Sequence, residues 1–107
     1  MSHVALCTYR VRPGQEKAFL TLLRRHRPAL LKYDLVTDDH HDIFRGKDHD
    51  AKPFFVEILS WRSPEGPMLA EQLPDVIRVW EAMGKLCEAR GGRPPMEFPF
   101  VDVLTPE

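Results

Sequence analysis

The chain has no apolar run near the ~20 residues a helix needs to cross a bilayer. It has only two cysteines among 107 residues, and almost no net charge. Each absence narrows the function. Met1-Ser2-His3 leads straight into the apolar Val4-Ala5-Leu6-Cys7, without a basic leader and cleavage site. The expectation is therefore a cytoplasmic protein with no membrane partner. Cys7 and Cys87 stand too far apart for a metal-ligand spacing or a disulfide framework, so both read as small buried hydrophobes in a reducing compartment. A formal net charge of −1 gives no general attraction to phosphate backbones. The one basic cluster, Arg24, Arg25 and Arg27, has no aromatic side chains interleaved to stack bases, so no nucleic-acid partner is expected. At this length the chain should form one domain, residues 1–107, around one core.

What the chain does have is a regular series of apolar segments: strand, amphipathic helix, two strands, amphipathic helix, strand. His3 to Val11 is apolar on both faces, with Val4 and Leu6 on one and Ala5, Cys7, Tyr9 and Val11 on the other. Such a strand belongs in the middle of a sheet. Pro13-Gly14 supplies a turn, and Gln15 to Lys32 reads as a helix with Phe19, Leu22, Leu23, His26, Leu30 and Tyr33 on one stripe. Pro28 lies inside this stretch and cannot bond the Arg24 carbonyl, so a kink or break is expected there. Leu35 to Lys47 is interrupted by Asp38-Asp39-His40-His41-Asp42, which suits a charged edge strand.

Phe54 to Trp61 is the strongest strand signal and, Glu57 apart, is apolar on both faces. Ser63-Pro64 reads as a cap and first turn of a short helical stretch reaching Leu73. From Asp75 a second stripe of Val76, Val79, Trp80, Met83, Leu86 and Cys87 continues toward Gly91-Gly92, where the helix should end. Met96 to Leu104 completes the set as an edge strand containing Pro99. The order predicts an α+β, ferredoxin-like βαββαβ subunit with a four-stranded antiparallel sheet. Two helices cover one face of such a sheet. Apolar residues on the other face call for a second copy, so a homodimer is expected.

Several residues also carry a family likeness. Tyr9-x-Val11-x-Pro13-Gly14, Phe19, Phe55-Val56-Glu57 leading to Trp61, Pro74-x-Val76 leading to Trp80, and Met96-Glu97-Phe98 resemble the dimeric α+β barrel proteins. Among them the antibiotic biosynthesis monooxygenase type is nearest in pattern. The resemblance implies a cavity between sheet and helices. It also implies oxidation of a small aromatic or quinol-type compound without metal or flavin. One departure from the relatives stands out: the chain has no asparagine, and no histidine after His49. Haem-degrading relatives hold haem with an asparagine of the first strand and a histidine of the second helical region. Neither has a counterpart here, so no haem and no other cofactor is expected.

His26 is the candidate catalytic residue, a general base on the apolar stripe of the first helix. Tyr9 and Tyr33 are candidate hydrogen-bond donors to a ligand, and Trp61 and Trp80 candidate cavity walls. A histidine in such a stripe more commonly serves packing, and the same holds for the tyrosines. Glu57, in a central strand, needs a partner, and Arg10 or Arg45 is the expected one. The Asp38–Asp42 run matches no metal motif and reads as a solvated acidic loop. A non-catalytic, small-ligand-binding or structural dimer of the same fold is the rival reading.

Overall fold

The computed structural model describes residues 3–106 as six strands and three helices. In chain order they are β1 (His3–Tyr9), α1 (Glu16–Lys32), β2 (Val36–Thr37), β3 (Ile43–Lys47), β4 (Pro53–Trp61), α2 (Gly66–Ala70), α3 (Pro74–Lys85), β5 (Met96–Glu97) and β6 (Phe100–Val101). The six strands occupy four lanes of one antiparallel sheet. β1 and β4 pair along their length from His3↔Trp61 to Tyr9↔Phe55 and form the centre. β2 and β3 lie along the outer side of β4, and β5 and β6 along the outer side of β1. The two segments apolar on both faces are thus the central ones. Each edge lane is split where the sequence is least able to hold a strand, at residues 38–42 and at Phe98-Pro99.

Strand parity puts Ala5, Cys7 and Tyr9 of β1 and Phe55, Glu57, Leu59 and Trp61 of β4 in the core. α1 and α3 cover this face, contributing Phe19, Leu23, His26 and Leu30 from the first and Val76 and Met83 from the second. Among the described residues no helix covers the opposite face. There Leu6, Phe54, Val56 and Ile58 stay half-buried and Phe44 is exposed.

Four expectations about local structure are corrected. α1 runs unbroken through Pro28. Arg24 and Pro28 are both exposed, so the carbonyl that proline leaves unbonded is on the wet side, while the buried face holds the helix to the sheet. Ser63 does not cap α2. That helix begins at Gly66, with Pro67 in its first turn, and the Ser63 carbonyl accepts from the Gly66 N–H at 3.0 Å. α3 stops at Lys85, well before Gly91-Gly92. The chain is drawn away by the sheet: the Arg12 N–H donates to the Leu86 carbonyl and the Glu88 N–H to the Arg10 carbonyl, each at 2.8 Å. The last strand ends at Val101 rather than at Leu104.

Candidate functional site

Helix phase and strand parity bring His26 of α1 and Glu57 of β4 onto the same buried layer, where they meet. His26 Nδ1 lies 2.8 Å from Glu57 Oε1, with the two residues only 2 % and 0 % exposed. The Tyr9 hydroxyl donates to the same oxygen at 2.8 Å. The other imidazole nitrogen, Nε2, accepts from the Trp80 indole N–H at 2.7 Å. An indole N–H only donates, so Nε2 carries no proton in this arrangement and Nδ1–H is the donor to Glu57. The result is a directed chain from Trp80 through His26 to Glu57, with Tyr9 joining from the other side. Glu57 Oε2 is buried and accepts no hydrogen bond.

Glu57 therefore finds its partners in a histidine and a tyrosine, and neither expected arginine neutralises it. Arg10 pairs instead with Glu97 at 2.6 Å. Arg45 is exposed on β3, opposite Phe55 rather than Glu57. Burial, reinforced by the nearby Glu57 charge, pushes the Tyr9 phenol well above its usual range. The same two causes raise the Cys7 thiol beside it. Both groups stay protonated at neutral pH.

The chain of hydrogen bonds borders a cavity of about 360 Å³, whose lining includes Tyr9, His26, Trp61 and Trp80. Four of the five candidate site residues thus face one space. The fifth, Tyr33, does not. α1 ends at Lys32 and Tyr33 is its C-cap, so the residue leaves the helical stripe, becomes exposed and donates its hydroxyl to Asp75 at 2.8 Å. Leu59, Met83 and Met96 add apolar wall, and Phe98 and Phe100 close it from the C-terminal edge lane. Trp61 is held flat by Gly66, where even a methyl group would collide with the indole. Sequence reasoning missed Glu57 as the partner of His26, and missed Glu71, Pro67 and the two methionines as lining.

The chemistry available is that of an imidazole oriented by a carboxylate. Glu57 fixes the tautomer and would hold an imidazolium if Nε2 took a proton. Nε2 is occupied by the Trp80 N–H, so a ligand hydroxyl reaches it only by taking the place of the indole. The Asp38–Asp42 run lies in a loop between β2 and β3, with the His40 carbonyl accepting from Ser60 at 3.2 Å. Among the described residues no group of three or more His, Cys, Asp or Glu side chains could hold a metal ion. No helix among them is long and apolar enough to cross a membrane.

No family model and no curated protein matches the sequence. Solved structures do match. A Nitrosomonas europaea protein provisionally named an antibiotic biosynthesis monooxygenase superposes with a TM-score of 0.72 at 12 % identity, over 98 % of this chain and 92 % of that one. The fold is that of the antibiotic biosynthesis monooxygenase proteins. Rv0793 of Mycobacterium tuberculosis has a TM-score of 0.68 at 14 % identity, over 99 % of this chain and 98 % of its own. SnoaB, a cofactor-independent oxygenase of Streptomyces nogalater solved as an asparagine-to-alanine variant, has a TM-score of 0.66 at 12 % identity, covering 98 % and 95 %. Antibiotic biosynthesis monooxygenase architecture is therefore reached here by a chain that contains no asparagine.

Proposed function

We propose that this protein is a monooxygenase-like enzyme that oxidises a small aromatic, quinol-type compound without metal or flavin. The observation that carries the reading is the His26–Glu57 pair at the wall of a cavity lined by aromatic side chains. The fold adds support, since SnoaB, with the same architecture, is a cofactor-independent oxygenase. In the proposed reaction the substrate hydroxyl displaces the Trp80 N–H from His26 Nε2 and gives up its proton there, with Glu57 stabilising the imidazolium. The resulting carbon nucleophile reduces dioxygen and forms a hydroperoxide at a ring CH₂ or CH. Loss of water from that group leaves a carbonyl: one oxygen atom enters the product, the other departs as water, and CH₂ plus O₂ becomes C=O plus H₂O. Trp61 and Trp80 hold the ring, and Tyr9 keeps Glu57 in place.

The reading is tested by oxygen uptake with a panel of anthrone- and quinol-type compounds. Turnover should fall by ~10²–10⁴ in His26→Phe, the usual loss for a removed general base. A wild-type protein that neither consumes oxygen with any of the panel nor binds them would overturn it. A second reading, a non-catalytic binding dimer, is favoured by one feature: both nitrogens of His26 are engaged. Binding without oxygen uptake would select it.

We also propose a homodimer formed through the helix-free face of the sheet. Exposed Phe44 and the half-buried Leu6, Val56 and Ile58 support it, as an apolar face that water would otherwise meet. Sedimentation equilibrium should return twice the chain mass at micromolar concentration, and a monomer would refute the dimer.

A further inference from the structure

Resting on the catalytic reading above, the charge inside the cavity narrows the class of compound it takes. Among the described residues no lysine or arginine lines the space, and the one carboxylate on its wall is Glu71, beside α2. Glu71 is exposed, and among the described residues its side chain has no ion-pair or hydrogen-bond partner. Trp61, Trp80, Phe98 and Phe100 line the same cavity, rings whose electron-rich faces favour cations. The opposite wall does not reverse this sign. A protonated His26 would sit against Glu57, and that pair would be neutral overall.

An anionic ligand would therefore leave water for a space with no cation to meet it and one carboxylate to repel it. A compound with an ammonium group would find both a carboxylate and aromatic walls. We infer that the cavity takes an aromatic hydroxy compound bearing a basic amine and rejects its carboxylated analogue, with Glu71 as the specificity-determining residue. The hydroxyl end would lie toward His26 and the ammonium toward α2.

Three catechols that differ in one substituent test this: 4-methylcatechol, dopamine and 3,4-dihydroxyphenylacetate. They are titrated into the full chain anaerobically at pH 7 and followed by calorimetry. Dopamine should bind about fivefold tighter than 4-methylcatechol, and 3,4-dihydroxyphenylacetate at least about fivefold more weakly. In Glu71→Gln the spread of the three affinities should collapse, with dopamine losing most. Circular dichroism checks that the variant is folded. Equal affinities in the wild type, or a spread that survives Glu71→Gln, would overturn the inference while leaving the catalytic reading standing. No binding of any of the three would overturn the inference as well, while the catalytic reading would still be decided by the wider anthrone and quinol panel.

Discussion

The two ends of the core are built from the same sheet and the same helices, yet one is solid and the other hollow. At the solid end Phe19 packs between Tyr9 and Phe55, with ring centroids 5.1 and 5.3 Å apart, and Val11 bridges to Cys87. All five residues are at most 2 % exposed. At the hollow end Leu59, Trp61, Trp80 and Met83 stand around the cavity. The difference comes from the roof. At the solid end the chain leaves α3 at Lys85 and is drawn down onto β1 by the hydrogen bonds at Arg10 and Arg12. At the hollow end the roof includes Pro67 and Glu71 of the short α2 and its C-cap, and Gly66 of that helix lies against the Trp61 indole. One end supplies stability and the other space, and the Tyr9–Glu57–His26 chain lies between them.

Alkaline pH should break the comparison most strongly, because buried acids occupy both ends. Burial, aided by Glu57, raises Cys7 and Tyr9 near the cavity, and burial pushes Cys87 at the solid end up to about 11. Each folded-state pKa lies above its unfolded value. The stability these groups hold is thus complete below about pH 8.5 and is lost as pH climbs toward the folded values. At about 1.4 kcal/mol per unit and group, the combined loss by about pH 10.5 should be on the order of 6 kcal/mol. Chemical denaturation at pH 7.5, 9 and 10.5 measures it. Cys87→Ala should remove the share of the solid end and Cys7→Ala that of the hollow end. A flat pH profile would mean that the thiols are not desolvated.

Removing bulk should discriminate between the ends at neutral pH. Phe19→Ala takes a ring from a filled site and should cost about 4 kcal/mol, with a cavity left behind. Met83→Ala opens onto space that already exists, and should cost about 2 kcal/mol, at the low end for such a truncation. Equal losses in denaturant midpoint would show that the hollow end is packed in solution.

These two regions were not equally legible in the sequence. The central place of β1 and β4 followed from apolar residues on both faces, and the covered stripe of α1 from the spacing of Phe19, Leu23, His26 and Leu30. Those are local patterns, set by a period of 2 or 3.6 residues. The pairing of His26 with Glu57 is not local, since it joins a helix to a strand 31 residues away. A signal did exist. Glu57 shares strand parity with Phe55 and Leu59, and His26 shares helix phase with Leu23 and Leu30, so both polar groups had to enter one core. Distant arginines were the wrong partners for two reasons: Arg10 has the outward parity of β1 and pairs with Glu97, whereas Arg45 shares the inward parity but sits opposite Phe55 in the edge lane and stays exposed. Tyr33 failed for a different reason: a stripe predicts a face only while the helix continues, and α1 ends one residue earlier.

Glu57→Gln tests the chain between the two ends. The amide oxygen can still accept from Tyr9 and His26, but the amide N–H₂ brings two donors into a place where Oε2 has no partner. The expected loss is about 1–3 kcal/mol, with the fold retained. A variant as stable as the wild type would mean that Glu57 already carries its proton on Oε2, or that a water fills the site.

The smallest effect on stability, and the most direct probe of the hollow end, is expected from Trp80→Phe. It removes one donor from a half-buried site beside existing space, and should cost about 1 kcal/mol. Its chemical effect should be larger. Glu57 continues to hold the Nδ1 proton, so the variant exposes the Nε2 lone pair to the cavity without altering the tautomer. Diethyl pyrocarbonate acylates unprotonated imidazole nitrogen, and mass spectrometry of the peptide containing His26 reports its extent. In the wild type His26 should react slowly, whereas exposed His49 reacts quickly and serves as the internal reference. In Trp80→Phe the His26 rate should rise toward that of His49, and a bound catechol should suppress it again. If His26 is acylated at the same rate in both proteins, the indole is not the group that covers Nε2, and the displacement step assigned to the substrate hydroxyl fails with it.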